Sequence, residues 1–150
     1  MSVSTTDPLH PWLWLDDRMP GVDEQVRAAI LRSVEAAGKG DADAAHEIYA
    51  EDAVLEFPQS GERFVGKRNF LEWRRSYPGK VEFVTRSVRG GGSLWVRELS
   101  VRYDGGEWQY GVGILEFRDQ LVVRETIYVT EGWEAPEWRA RWRATAPATG

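Results

Sequence analysis

The sequence predicts an α+β domain in which a curved antiparallel sheet wraps around three N-terminal helices and encloses a pocket. Two observations carry this. Helical periodicity is confined to the first half of the chain, and from residue 80 onward the chain reads as long strands separated by turn signals. A third, the eight tryptophans among 150 residues, supplies large aromatics of the kind that line pockets and interfaces or fill core seams.

Residues 1–21 read as an N-terminal arm. Pro8, Pro11 and Pro20 oppose regular structure, while Trp12, Leu13, Trp14 and Leu15 are too apolar for a free tail, so the arm is expected to pack on the domain. Residues 23–37 read as the first helix, because Val26, Ala29, Ile30, Ser33, Val34 and Ala37 recur at spacings of three and four. Gly38 and Gly40 end it, and Asp41 is suited to cap a second helix running to about Tyr49. A strand over 53–57 stops at Pro58, a short strand over 62–65 follows, and Gly66 leads into a third helix with Phe70, Leu71, Trp73 and Arg74 before Pro78 and Gly79 break it. Strands are expected over 80–89, 94–103, 107–118 and 121–130, with Asp104-Gly105-Gly106 a strong hairpin signal and a tighter turn at Asp119-Gln120. A closing helix over 134–143 places Trp138 and Trp142 on one side. One domain thus spans 22–143, and 144–150 form a loose tail.

Composition narrows the function. A net charge of −5 disfavours both nucleic acid and anionic membranes as partners. With no cysteine, thiolate catalysis, disulfides and Cys-based zinc sites are excluded. Two histidines, His10 and His46, do not suggest a metal site, so neither metal nor cofactor is expected. No apolar run reaches the roughly 20 residues that span a bilayer. Asp7, Asp16 and Asp17, without a basic leader, make a cytoplasmic location the default expectation.

The segment Gly40-Asp41-Ala42-Asp43-Ala44-Ala45-His46-Glu47-Ile48-Tyr49-Ala50-Glu51-Asp52-Ala53 resembles the "GD…YADDA" stretch of the nuclear transport factor 2-like superfamily. Leu115 to Glu125 resembles the "F…DGKIVE" turn between its last two strands, and the closest resemblance within the superfamily is to the SnoaL-like group. The resemblance covers roughly residues 22–131 and implies a cone-shaped fold. Relatives include ketosteroid isomerases, polyketide cyclases, limonene epoxide hydrolases, scytalone dehydratases and non-catalytic binders, so fold alone leaves function open. By motif spacing, the steroid isomerases' oxyanion tyrosine, general base and oxyanion aspartate fall at Ser33, Phe57 and Gly113, and the cyclases' acidic residue also falls at Gly113. The epoxide hydrolases' Arg and two Asp fall at Leu99, Val101 and Ile127. Only the pocket tyrosine of the isomerases is kept, as Tyr49.

Strand alternation, set by the same matches, points Leu55, Phe57, Arg97, Leu99, Val101, Tyr103, Gln109, Gly111, Gly113, Leu115, Val122, Arg124, Thr126 and Tyr128 into the pocket. Ser33, Tyr49 and Trp73 join them from outside the long strands. Gly111 and Gly113 either clear room for a ligand or bend the sheet. Arg97 and Arg124 either hold a carboxylate, enolate or phenolate or pair with a nearby Glu at the rim. The opposite face, with Val84, Arg86, Val88, Val96, Glu98, Val112, Ile114, Glu116, Val123, Glu125 and Ile127, is expected to form a homodimer interface. A bulge in any strand would swap its faces and bring Glu98, Glu116 or Glu125 inward as a general base. His46 reads as a surface or helix-packing residue, and His10 as a possible cover of the pocket mouth.

Three functions fit. The first is a cofactor-independent cyclase, isomerase, dehydratase or hydrolase acting on a small apolar or aromatic molecule, with Arg97 or Arg124 stabilising negative charge, Tyr49 or Tyr128 donating a proton and Glu125 the reserve base. The second is a non-catalytic binder with the same pocket, and the third a dimerisation module.

Overall fold

The computed structural model describes residues 19–145. Helix α1 (Met19–Gly38) buries Val26, Ile30, Ser33 and Val34 along one stripe, as the sequence spacing requires. The chain turns away beyond its end at Gly40, which takes a left-handed φ of 78°. Asp41 then caps α2 (Ala42–His46), its carboxylate accepting from the Ala44 N–H at 3.1 Å. Strand β1 (Tyr49–Phe57) follows, so Tyr49 opens a strand rather than ending the helix. Strand β2 (Glu62–Val65) and helix α3 (Lys67–Arg75) complete the first half.

The second half is a meander of β3 (Val81–Gly91), β4 (Leu94–Tyr103), β5 (Gln109–Arg118) and β6 (Leu121–Thr130). Six strands form one sheet in the order β2-β1-β6-β5-β4-β3. The sheet is curved and does not close, and the helices lie against one face, giving the α+β fold anticipated from the sequence. All pairings are antiparallel except β1 with β6, which run parallel. The β5–β6 turn uses Asp119 and Gln120, both at positive φ. The core gathers Ile30, Tyr49, Leu55, Phe70, Val88, Trp95, Leu115, Phe117 and Val122 between sheet and helices.

Two register shifts decide the faces. On β6, Phe117 pairs with Val122 and Glu116 with Arg124, which leaves Val123 as an extra residue. Alternation past this bulge is reversed relative to the sequence expectation. Glu125 turns inward, while Arg124, Thr126 and Tyr128 lie on the outer face. On β3, Thr85 pairs with Leu99 and Ser87 with Glu98, so Arg86 is extra and Val88, expected outside, is buried. The expected closing helix is a short 3₁₀ helix, Glu137–Trp142, and Trp133, Trp138 and Trp142 are all exposed rather than packed. The N-terminal arm, including His10, lies outside the described residues up to residue 18, as does the tail beyond residue 145. No helix among the described residues is long and apolar enough to cross a membrane.

Candidate functional site

A cavity of about 750 Å³ opens between the concave face of the sheet and helices α1, α2 and α3. That volume suits a small molecule. Its walls carry Phe57, Trp73, Leu99, Val101, Ile127 and Val129 as apolar surface, with Ser33, His46, Tyr49, Arg74, Arg97 and Glu125 among the polar groups.

The buried polar groups form one connected network. The Arg97 guanidinium donates to Ser33 Oγ at 3.1 Å, to Tyr49 Oη at 3.2 Å and to Glu125 Oε1 at 2.8 Å. Tyr49 donates its phenol proton to Glu125 Oε2. Ser33 passes its own proton to the Ile30 carbonyl at 2.7 Å. Arg97 is 8% exposed and Glu125 1%, so this ion pair sits almost free of solvent.

Each charge depends on the other. Burial opposes the charge on Glu125, but Arg97, then Arg74, and the Tyr49 hydroxyl outweigh it and hold the carboxyl below its ordinary value. Burial likewise opposes the charge on Arg97, and Glu125 and Tyr49 overcome it, so its pKa is raised. Burial, then the Glu125 charge, push the Tyr49 phenol up. The resting site therefore holds a carboxylate, a guanidinium and a neutral phenol.

Gly113 makes the contact possible. It lies on β5 between the other two strands, paired with Arg97 on one side and Ile127 on the other. A β-carbon there would come within 2.9 Å of Glu125 Oε1 and 3.2 Å of Arg97 Nε. The glycine therefore clears room for the protein's own side chains. Gly111 also lines the cavity, but a β-carbon there would meet only ordinary contacts at 3.8 Å.

A second cluster adjoins the first. His46 Nδ1 lies 2.7 Å from the Ala42 carbonyl and Nε2 lies 2.9 Å from Arg74 Nη1. Both contacts are satisfied when Nδ1 carries the proton and Nε2 accepts from the guanidinium. Burial, then the Arg74 charge, push the His46 pKa down to about 4, so the ring is neutral. The ring also packs against Tyr49 and Phe70 at centroid distances of 5.4 and 5.8 Å. The Trp73 indole N–H is buried without a hydrogen-bond partner among the described residues.

Of the residues expected at the site, Ser33, Tyr49, Phe57, Trp73, Arg97, Leu99, Val101, Gly111 and Gly113 line the cavity, and so does Glu125. Leu55 and Leu115 are instead wholly buried in the core beside it, and Gln109 is half-buried away from it. Arg124, expected inward, is on the outer face, bound to Glu56 at 2.8 Å and near Glu116 at 3.6 Å. Thr126 and Tyr128 share that face, so neither reaches the cavity. Ile127, expected outside, lines it. Arg74 and His46 also line the cavity, outside the residues expected there from the sequence. Phe70 and Arg74 at i and i+4 put an arginine on the buried side of α3, a signal that was available. The uninterrupted apolar run Leu121-Val122-Val123 likewise breaks strand alternation where the bulge occurs. Among the described residues, no group of three His, Asp or Glu is placed to hold a metal ion.

The family model for the SnoaL-like domain matches residues 30–125. The chain belongs to the SnoaL-like domain family. This SnoaL-like domain is similar to a solved NTF-2 like protein of unknown function from Burkholderia xenovorans LB400. The two are 42% identical over 82% of this chain and 96% of that one, with a TM-score of 0.78. It is also similar to a protein from Kribbella flavida DSM 17836 assigned as a ketosteroid isomerase, 28% identical over 84% of this chain and 93% of that one, with a TM-score of 0.74. An epoxide hydrolase of M. tuberculosis, 19% identical over 71% of this chain and 84% of that one at a TM-score of 0.62, shares the fold. Among curated proteins nothing matches this SnoaL-like domain.

Proposed function

We propose that this SnoaL-like domain is a cofactor-independent acid–base enzyme for a small, largely apolar molecule bearing an oxygen function. Its reaction class is isomerisation, cyclisation, dehydration or hydrolysis. The observation that supports this is the convergence of a carboxylate, a phenol and a guanidinium on the wall of one cavity. The likeness to a protein assigned as a ketosteroid isomerase points the same way.

In the resting site both Glu125 oxygens accept hydrogen bonds, which holds the carboxylate as a weak base. A substrate oxygen that takes the Tyr49 and Arg97 donors leaves Glu125 less stabilised and more basic. A proton then passes from substrate to Glu125, and the electron pair stays on the substrate as an enolate or alkoxide. Tyr49 donates to that oxygen and Arg97 faces its charge, both positioned before the reaction begins. Glu125 returns the proton to a second atom for isomerisation, or to a leaving oxygen for dehydration.

A second reading, a non-catalytic binder, is favoured by the fact that every polar group of the network is already satisfied within the chain. One experiment separates the two. Cyclic enones, aryl ketones and epoxides are incubated with the protein in D₂O, and proton NMR follows solvent exchange and turnover. The acid–base reading expects turnover that falls about a hundredfold or more in Glu125→Gln and is also lowered in Tyr49→Phe. Binding without turnover, or turnover indifferent to both changes, would overturn it.

We also propose that two copies pair through the outer sheet face. Val84, Leu94, Tyr110 and Tyr128 are exposed there, and its charges are largely matched within the chain, as in Arg124 with Glu56, Arg102 with Glu82 and Arg89 with Glu98. A face both apolar and internally neutralised has little to lose on desolvation.

A further inference from the structure

The cavity holds five cationic side chains, and four are spoken for. Arg97 pairs with Glu125 at 2.8 Å, Lys39 with Glu35 at 2.9 Å, Lys80 with Glu82 at 3.8 Å, and Arg75 with Asp43. Arg74 is the exception. Among the described residues no carboxylate lies within salt-bridge distance of it, and its one hydrogen-bond partner is the neutral His46 ring at 2.9 Å.

The guanidinium is nevertheless held in place. Its central carbon lies 5.6 Å from the Phe70 ring centroid and 5.5 Å from that of Trp73, stacked over aromatic faces. His46 fixes one N–H, because its own Nδ1–H is committed to the Ala42 carbonyl. The remaining N–H donors make no hydrogen bond to the described residues. Arg74 is half-buried on the cavity wall, and its charge is felt by Tyr49, Tyr103 and Glu125 around the same space. An arginine so positioned, with a planar fork of free donors beside apolar walls, matches a carboxylate.

We infer that Arg74 receives the carboxylate of a small aromatic or alicyclic acid, whose apolar body lies along Trp73 and Phe57 and reaches toward Glu125. The inference rests on reading the cavity as a small-molecule site, and it adds the ligand class: a monoanion. Arg97 already has a carboxylate partner in Glu125, and Arg124 faces outward, so Arg74 is the cavity arginine left for a ligand carboxylate.

The test uses matched probes on the full chain, 2-naphthoic acid against 2-naphthamide, titrated by protein NMR at low salt. The acid is expected to bind about tenfold or more tightly than the amide, as a charge-assisted contact implies. In Arg74→Gln the preference should collapse to within about twofold, while Arg68→Gln, which removes an exposed charge from the same helix, should leave it intact. Equal binding of the two probes, binding of neither, or a preference that survives Arg74→Gln would overturn the inference. The comparison of acid and amide on the unaltered protein does not depend on a variant folding. Glu125-dependent turnover without acid preference would remove this inference and leave the acid–base reading standing. Acid preference without such turnover would do the reverse.

Discussion

Arg97 of β4 and Glu125 of β6 meet at 2.8 Å across the strand that separates them, over the bare backbone of Gly113. The pair organises the inner end of the cavity. It binds Tyr49 between its members and ties the sheet to α1 through Ser33. Because both charges are nearly solvent-free, neither is tolerable without the other.

Removing either partner alone should be costly. Glu125→Gln strands a buried guanidinium, and Arg97→Met strands a buried carboxylate. Each should lose about 3–5 kcal/mol of stability. The double variant should lose clearly less than the sum, because it leaves no uncompensated charge. Urea unfolding of the four proteins measures this coupling, and additive losses would mean that the two side chains do not interact as described.

The two cavity glycines of β5, Gly111 and Gly113, should behave differently. Gly113→Ala forces a methyl to within 2.9 Å of Glu125 Oε1 and should destabilise by roughly 1–3 kcal/mol, in the manner of other overpacked sites. Gly111→Ala meets nothing closer than 3.8 Å and should be neutral or mildly stabilising. Thermal melts of both variants would decide it; an equal loss in each would point to sheet curvature, not side-chain clearance, as the reason for glycine.

Stability should rise with pH between about 4 and 6.5 because of His46. Its pKa is pushed down to about 4 in the folded chain from an ordinary 6.5, so across that window the unfolded chain binds a proton the folded one refuses. The contribution is present above 6.5 and is lost as pH falls. Chemical denaturation between pH 7 and 4.5 should show about 2 kcal/mol lost in the unaltered protein. His46→Gln, which cannot titrate, should show a visibly flatter dependence. Glu125 acts at lower pH. Its depressed pKa gives stability that is present above about 4.5, its ordinary value, and that fades below it.

The outer face predicts an oligomeric state. Light scattering after size exclusion should give twice the mass of 17.1 kDa for the unaltered chain. Val84→Glu combined with Tyr110→Glu, both on exposed positions of that face, should give the monomer mass without loss of fold. A monomeric unaltered protein would remove the proposal.

The amino-acid sequence by itself determined the order of elements, the α+β class and the family. Those follow from local signals: the three-and-four spacing of Val26, Ile30 and Val34, the capping Asp41, and the turns at Asp104-Gly105 and Asp119-Gln120. It also placed Arg97 and Gly113 at the cavity, because β4 and β5 keep an unbroken alternation through those positions, while Tyr49 on β1 was placed there by the family resemblance. Only the tertiary structure decided which carboxylate faces them. One extra residue in β6, Val123, exchanges Arg124 for Glu125 at the inner face, and it is the pairing of β6 with β5 that fixes the shift. The same holds for Arg74 and His46, 28 residues apart in the chain. Their contact exists only once α2 and α3 pack together, since no local periodicity encodes a distance between two helices.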